Sequence, residues 1–238
     1  LNIKGKDKEG KWFAAPNLRN RFMDPRELGD WLNHIKVCLL LSRAVRRMHF
    51  AGLAHSDLSY KNVLVDPSKG MACVIDVDGL VVPGKFPPDV VGTPDFIAPE
   101  VVKTSHLAKD DPQRSLPKRE TDLHALAVLI YMYLLYRHPL RGGKVHTIED
   151  EQRDESLTMG ERAIFIEHPT DKSNRIKLKN VKSSELPWAD TEKIPFTVAG
   201  PYLKTLFLQA FVIGLHDPSI RPSANDWETA LVKTVDLI

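Results

Sequence analysis

Fourteen consecutive residues, Leu123 to Tyr136, are almost wholly apolar, and no other feature restricts the fold of this 238-residue chain as strongly. The run is shorter than the roughly twenty residues a membrane span requires. A helix that is apolar on every face has to be enclosed by other elements. The run therefore predicts a buried core helix, and the chain is long enough to wrap it in one large domain. Thirty-three basic residues against thirty-one acidic ones leave a net charge of +2 with no block of like charges, which argues against nucleic acid as a partner and, with no membrane span, against a membrane. Cys38 and Cys73 lie inside apolar segments and no secretory leader is visible, so reduced thiols and a cytoplasmic location are expected. The chain begins at Leu1 without a methionine, as a fragment would.

Taken in order, residues 1–23 show two apolar patches separated by a glycine-bearing polar run, which predicts a hairpin and then an extended connector containing Pro16 and Asn17. Asp24-Pro25-Arg26-Glu27 has the pattern of a helix start. Apolar residues from Leu28 to Met48 recur near helical spacing until Gly52, predicting one long helix from this start. Val63–Val65 and Met71–Ile75 read as strands joined by a tight turn over Asp66–Gly70. Further helices are expected from Asp122 to Tyr136 and at Pro201–Leu215, while residues 141–199 read as polar and turn-rich, broken by one amphipathic piece at Leu157–Glu167. A last helix is expected at Ala224–Val235, where Ser223 and Asp226 form a capping-box pattern. At the head of the core helix, Asp122 is favoured by the free amides and the dipole.

Between the first long helix and the strands runs His55-Ser56-Asp57-Leu58-Ser59-Tyr60-Lys61-Asn62. A carboxylate and an amide five residues apart on a rigid loop suit proton acceptance by Asp57 and metal ligation by the Asn62 oxygen, with Asp76 arriving from the second strand. Downstream stand Gly92-Thr93-Pro94-Asp95-Phe96-Ile97-Ala98-Pro99-Glu100 and Ile220-Arg221-Pro222.

In this order the strings resemble the catalytic loop, metal turn, substrate wall and late Arg-Pro motif of the eukaryotic-type protein kinases. The resemblance covers roughly residues 12–238. It implies an α+β, protein-kinase-like fold: a mainly helical C-terminal lobe with a short catalytic-loop hairpin and a remnant N-lobe hairpin, residues 1–23 ending the small lobe and hinge and 24–238 forming the large lobe. It implies ATP and Mg2+ as cofactors and a protein serine/threonine hydroxyl as acceptor. In that reading Asp57 is the catalytic base, Asn62 and Asp76 hold the metal, and Thr93 and Pro94 belong to the wall, with Thr93 pairing with Asp57. Glu100 meets Arg221, His55 packs against the metal turn, and Asp122 hydrogen-bonds the catalytic loop from beneath. Asp78 occupies the family's glycine position, as a second metal ligand or a turn residue. Lys61 is set either to reach the transferring phosphate or to face solvent.

Two departures bear on regulation. Position 56 is serine in place of the family's arginine, and no serine, threonine or tyrosine lies between Leu80 and Val91. Together they remove a phosphate acceptor and the cation that would bind it, so no activation-loop phosphoswitch is expected. Residues 1–238 also lack the family's glycine-rich loop and strand lysine, so negligible phosphate transfer is expected from them alone. His138-Pro139-Leu140-Arg141-Gly142-Gly143 and the string Ile166–Arg175 resemble bacterial kinases that accompany a PP2C-type phosphatase and a metal-ion-site adhesion-type domain, which makes those proteins candidate partners. Two other functions compete. A small-molecule phosphotransferase of aminoglycoside or choline type would lack the wall string and its arginine, and a pseudokinase or scaffold lobe would tolerate Ser56, Ser59 and Asp78.

Overall fold

A computed structural model describes residues 16–83, 85 and 92–238. The hairpin expected over the first fifteen residues and most of the segment between Leu80 and Val91 lie outside the described residues. Helix α1, Pro16–Phe22, carries proline at its first position, where a missing N–H costs nothing. This overturns the extended connector expected at Pro16 and Asn17.

The capping box at Asp24 forms, with the Arg26 N–H donating to Asp24 at 2.9 Å, but it closes only the 3-10 turn Pro25–Glu27. Helix α2 starts later, at Trp31–Phe50, where Asp30 accepts the Asn33 N–H at 2.8 Å. The expected single helix is thus two elements, divided at Gly29. That glycine has φ +67°, and a Cβ there would lie 2.1 Å from the Pro67 carbonyl oxygen. Its buried residues Ile35, Cys38, Leu41, Ser42 and Val45 form one stripe at helical spacing.

Four short strands follow among the described residues. Strand β1, Ala54–His55, pairs antiparallel with β4, Leu80–Val81; β2, Val63–Asp66, pairs antiparallel with β3, Met71–Val74, Val63 facing Val74. Helix α3 spans Pro99–Thr104, and α4 spans Arg119–Leu135. From His124 to Leu135 every residue of α4 is buried, as an all-round apolar helix requires. Around it α2 packs against α4, β3 and the last helix. Helix α5 is Glu151–Met159. The amphipathic piece at Leu157–Glu167 begins as the last three residues of α5 and, beyond Gly160, continues in turns, with Phe165 and Ile166 pointing into the core. Helix α6, Pro201–Leu208, passes into a π turn at Gln209–Ile213, so the helix expected to Leu215 is interrupted. Helix α7, Ala224–Val235, starts with the expected box, Ser223 Oγ lying 3.2 Å from the Asp226 N–H it accepts.

An aromatic cluster fills the space between α4 and the C-terminal helices. The Tyr131 ring lies edge-on to Phe165, Phe207 and Phe211 at 5.6, 5.2 and 5.7 Å. Burial of each such ring stabilises by about 2 kcal/mol or more. The cluster ends on a buried charge pair, Arg137 to Glu167 at 2.6 Å, with the Tyr131 hydroxyl donating to the same carboxylate. Remaining Arg137 donors reach the Trp188 and Ile194 carbonyls at 2.5 and 2.7 Å, so the desolvated guanidinium is satisfied.

Candidate active site

Helix α2 delivers the chain to β1, and three cross-links then stitch the catalytic loop to the turn after β3. His55 Nε2 donates to the Ile75 carbonyl at 3.2 Å while its Nδ1 accepts the Asp57 N–H at 3.2 Å, which fixes a neutral tautomer. The Ser56 N–H and Oγ–H both donate to the Gly79 carbonyl, at 3.1 and 2.9 Å. The Ile75 N–H donates to the Asn62 carbonyl at 2.9 Å. Asp76, next in the chain, adopts φ +60°, a left-handed conformation that aspartate tolerates better than most residues.

Asp57 is half-buried and held from two sides. Its Oδ1 accepts the Thr93 N–H at 2.7 Å and its Oδ2 accepts Asn62 Nδ2 at 3.2 Å, while the same Asn62 nitrogen donates to the Asp57 carbonyl at 2.8 Å. The wall therefore meets the carboxylate through the Thr93 backbone amide. The threonine hydroxyl donates to Ser59 Oγ at 3.3 Å instead. Ser59 also accepts the Lys61 N–H at 3.3 Å, so this buried serine joins loop and wall. The sequence marked Ser59 only as a residue that a scaffold lobe would tolerate.

Asn62 is buried, and its amide nitrogen is occupied by Asp57, which leaves its oxygen as the donor open to a cation. Asp76 and Asp78 are exposed on the 3-10 turn region at Val77–Gly79. No cluster of three or more His, Cys, Asp or Glu side chains gathers as a metal cage among the described residues. An amide oxygen and one or two carboxylates suit a hard ion such as magnesium, which fills its shell with phosphate and water. Lys61 is exposed beside Asn62, and Pro94 is exposed at the start of the 3-10 turn Pro94–Phe96.

Beneath the loop, Asp122 Oδ2 accepts the His55 N–H at 2.8 Å and faces His49 Nε2 at 3.0 Å. Its side chain is 1% exposed. Burial pushes its carboxyl up, opposed by the bonds from His49 and His55. Asp122 lies in the first turn of α4, as the sequence led us to expect, and there it also accepts the loop amide of His55. His49 was not foreseen; its only signal is a basic residue in the last turn of α2.

The wall is anchored at both ends. Arg221 donates to both oxygens of Glu100 at 2.8 and 2.7 Å. At the other end Arg141 bridges Asp95 and Glu155, and His138 Nε2 donates to the Asp95 carbonyl at 2.9 Å. The two contacts to Asp95 join parts of the chain more than forty positions apart and have no local signature.

The sequence matches the family described as protein kinase domain over residues 15–198. It is 32% identical over 128 residues to a death-associated protein kinase of Caenorhabditis elegans, covering 52% of this chain and 7% of that protein. It is 35% identical over 97 residues to a serine/threonine-protein kinase of Saccharomyces cerevisiae, covering 40% of this chain and 8% of that protein. A dual serine/threonine and tyrosine protein kinase of Apis mellifera is 33% identical over 73 residues, covering 31% of this chain and 7% of that protein. The chain thus spans a small part of the length of the curated relatives it matches.

Proposed function

This chain belongs to the protein kinase domain family, and we propose that it carries the large lobe of an enzyme that transfers the γ-phosphoryl group of ATP to a serine or threonine hydroxyl of a protein. The observation that carries this reading is the convergence on Asp57 of the Thr93 amide at 2.7 Å and the Asn62 amide nitrogen at 3.2 Å. A carboxylate fixed in this way has lone pairs left to orient an acceptor hydroxyl and take its proton as the oxygen–phosphorus bond forms and ADP leaves. Asn62 and Asp76 would hold magnesium, with Asp78 as a further oxygen donor on the same turn, and the ion would supply charge neutralisation on the phosphates. Lys61, exposed beside Asn62, reaches toward the transferring group. Thr93 and Pro94 form the surface that receives the acceptor's neighbours.

Ser56 donates a hydrogen bond to the Gly79 carbonyl where the family has a cation that answers a phosphate, and with no hydroxyl side chain between Leu80 and Val91 this enzyme carries no activation-loop phosphoswitch. The proposed partners are the protein substrate and, on the strings His138–Gly143 and Ile166–Arg175 alone, a PP2C-type phosphatase and a metal-ion-site adhesion-type domain protein. Residues 1–238 carry no glycine-rich phosphate loop, so turnover by them alone is negligible and the test uses the full-length protein.

With labelled ATP and magnesium, phosphate should pass to a protein acceptor and the transfer should vanish in Asp57→Asn. Absence of transfer with nucleotide bound would make the chain a scaffold.

A further inference from the structure

The strings His138–Gly143 and Ile166–Arg175 take no part in the catalytic centre, yet the fold joins them at one residue. Asn174 is 2% exposed; its Nδ2 donates to the Leu140 and Ile164 carbonyls at 2.9 and 2.6 Å, and its Oδ1 accepts the Lys144 N–H at 3.2 Å. The Gly143 N–H donates to the Arg175 carbonyl at 3.1 Å. A Cβ on Gly142 would sit 1.7 Å from the Asn174 carbonyl oxygen, so the two segments pass closer than any side chain allows. This seam anchors residues 172–182, which carry Lys172, Arg175, Lys177, Lys179 and Lys182 and no carboxylate. The cations alternate with apolar and neutral residues and so escape a search for contiguous charge. None of the five forms an ion pair among the described residues.

The segment separates two grooves of different charge. On one side Lys172 and Arg175 share a groove of about 580 Å³ with Glu192 and with Asp190, which also pairs with Lys193 at 3.9 Å, so charges of both signs line it. On the other lies a cleft of about 500 Å³ lined by Tyr60 of the catalytic loop, Asp95 of the wall, Arg141, Lys177, Asn180 and Glu185. Asp95 is already bound by Arg141. Glu185, whose carboxylate accepts the Lys182 N–H at 3.4 Å, is then the one carboxylate on this lining without an ion pair among the described residues, against exposed Lys177 with exposed Lys179 and Lys182 on the same short segment. The cleft thus runs from the catalytic loop to a surface of excess positive charge.

We infer that Lys177, Lys179 and Lys182 dock an acidic stretch of the polypeptide substrate, so that acceptors flanked by glutamate or aspartate are selected. This rests on the protein-kinase reading above. Each exposed charge pair is weak and screened by salt, but cations acting together on one peptide give about tenfold discrimination at low ionic strength.

The test compares a fluorescent serine peptide with neutral flanks against the same peptide with glutamate flanks, by anisotropy on the full-length protein. Phosphate transfer to both peptides is followed in parallel. The glutamate peptide should bind about tenfold more tightly, less so as salt rises. The preference should be lost in Lys177→Glu/Lys179→Glu/Lys182→Glu and reduced in the milder variant with glutamine at the same positions. Thermal unfolding checks that both variants fold. Equal binding of the two peptides, or a preference that survives both substitutions, overturns the inference. So does an oligonucleotide of matched charge that binds more tightly than the glutamate peptide. Transfer without preference defeats the docking surface alone, whereas preference without transfer defeats the kinase reading and leaves the docking surface standing.

Discussion

Arg221 and Glu100, 121 positions apart in the chain, meet as a two-pronged pair with Nη1 to Oε1 at 2.8 Å and Nη2 to Oε2 at 2.7 Å. The Arg221 side chain is 1% exposed and that of Glu100 is 19%. The same guanidinium donates to the carbonyls of Gly214, Glu120 and Leu215 at 2.9, 2.9 and 3.1 Å. One side chain therefore ties the end of the wall to the first turn of α4 and to the approach to α7.

Replacing Arg221 by methionine should strand a carboxylate and three carbonyls, lowering stability by about 3 kcal/mol or more. Urea denaturation would measure it. The milder Glu100→Gln keeps a neutral acceptor and should cost less. A loss below about 1 kcal/mol in Arg221→Met would mean that solvent already screens the pair.

At the wall, the contact to Asp57 comes from the Thr93 backbone N–H. Thr93→Ala retains that donor and loses only the bond to Ser59, so phosphate transfer should fall less than about tenfold. Thr93→Pro removes the N–H altogether and should lower transfer by about a hundredfold, in the range of a misplaced base. Equal rates for the two variants would remove the amide from the mechanism.

Burial pushes His138 down to about 4 from its usual 6.5, against the pull of Asp95. The neutral ring donates at Nε2 to the Asp95 carbonyl and accepts the Leu140 N–H at Nδ1, at 2.9 and 3.1 Å; protonation abolishes the second bond. An unfolded histidine binds the proton more readily than this one. Its contribution is therefore present above pH 6.5 and is lost as pH falls toward about 4. Burial likewise depresses His34 and His124. The melting temperature should decline across that acidic window, and His138→Gln should make the decline shallower. An unchanged slope in the variant would exclude His138 as a source.

Gly142→Ala places a methyl group against the Asn174 carbonyl, and the backbone has to move. A loss of about 2 kcal/mol or more is expected, together with faster tryptic cleavage within residues 172–182. Gly200→Ala is the control, because φ there is +93° but no atom lies within 4 Å of the added carbon, so only the backbone penalty of about 1 kcal/mol applies. Matching melting temperatures for the two would refute the seam.

What the sequence determined by itself is carried by residues close together in the chain. The all-apolar run from Leu123 foretells the core helix, the Asp66–Gly70 turn foretells the β2–β3 hairpin, and Ser223 with Asp226 foretells the start of α7. The order of the catalytic-loop, wall and Arg-Pro strings identified the family. Tertiary structure decided the rest. Asp24 caps only a 3-10 turn because Gly29 has to fit against Pro67, 38 positions away. Asp57 meets Thr93 through the backbone amide, Asp122 reaches the His55 amide, and Asn174 clasps two strings that look unrelated in one dimension. Propensity and capping act over a few residues, whereas the satisfaction of buried donors, acceptors and charges is settled only when distant segments are packed together.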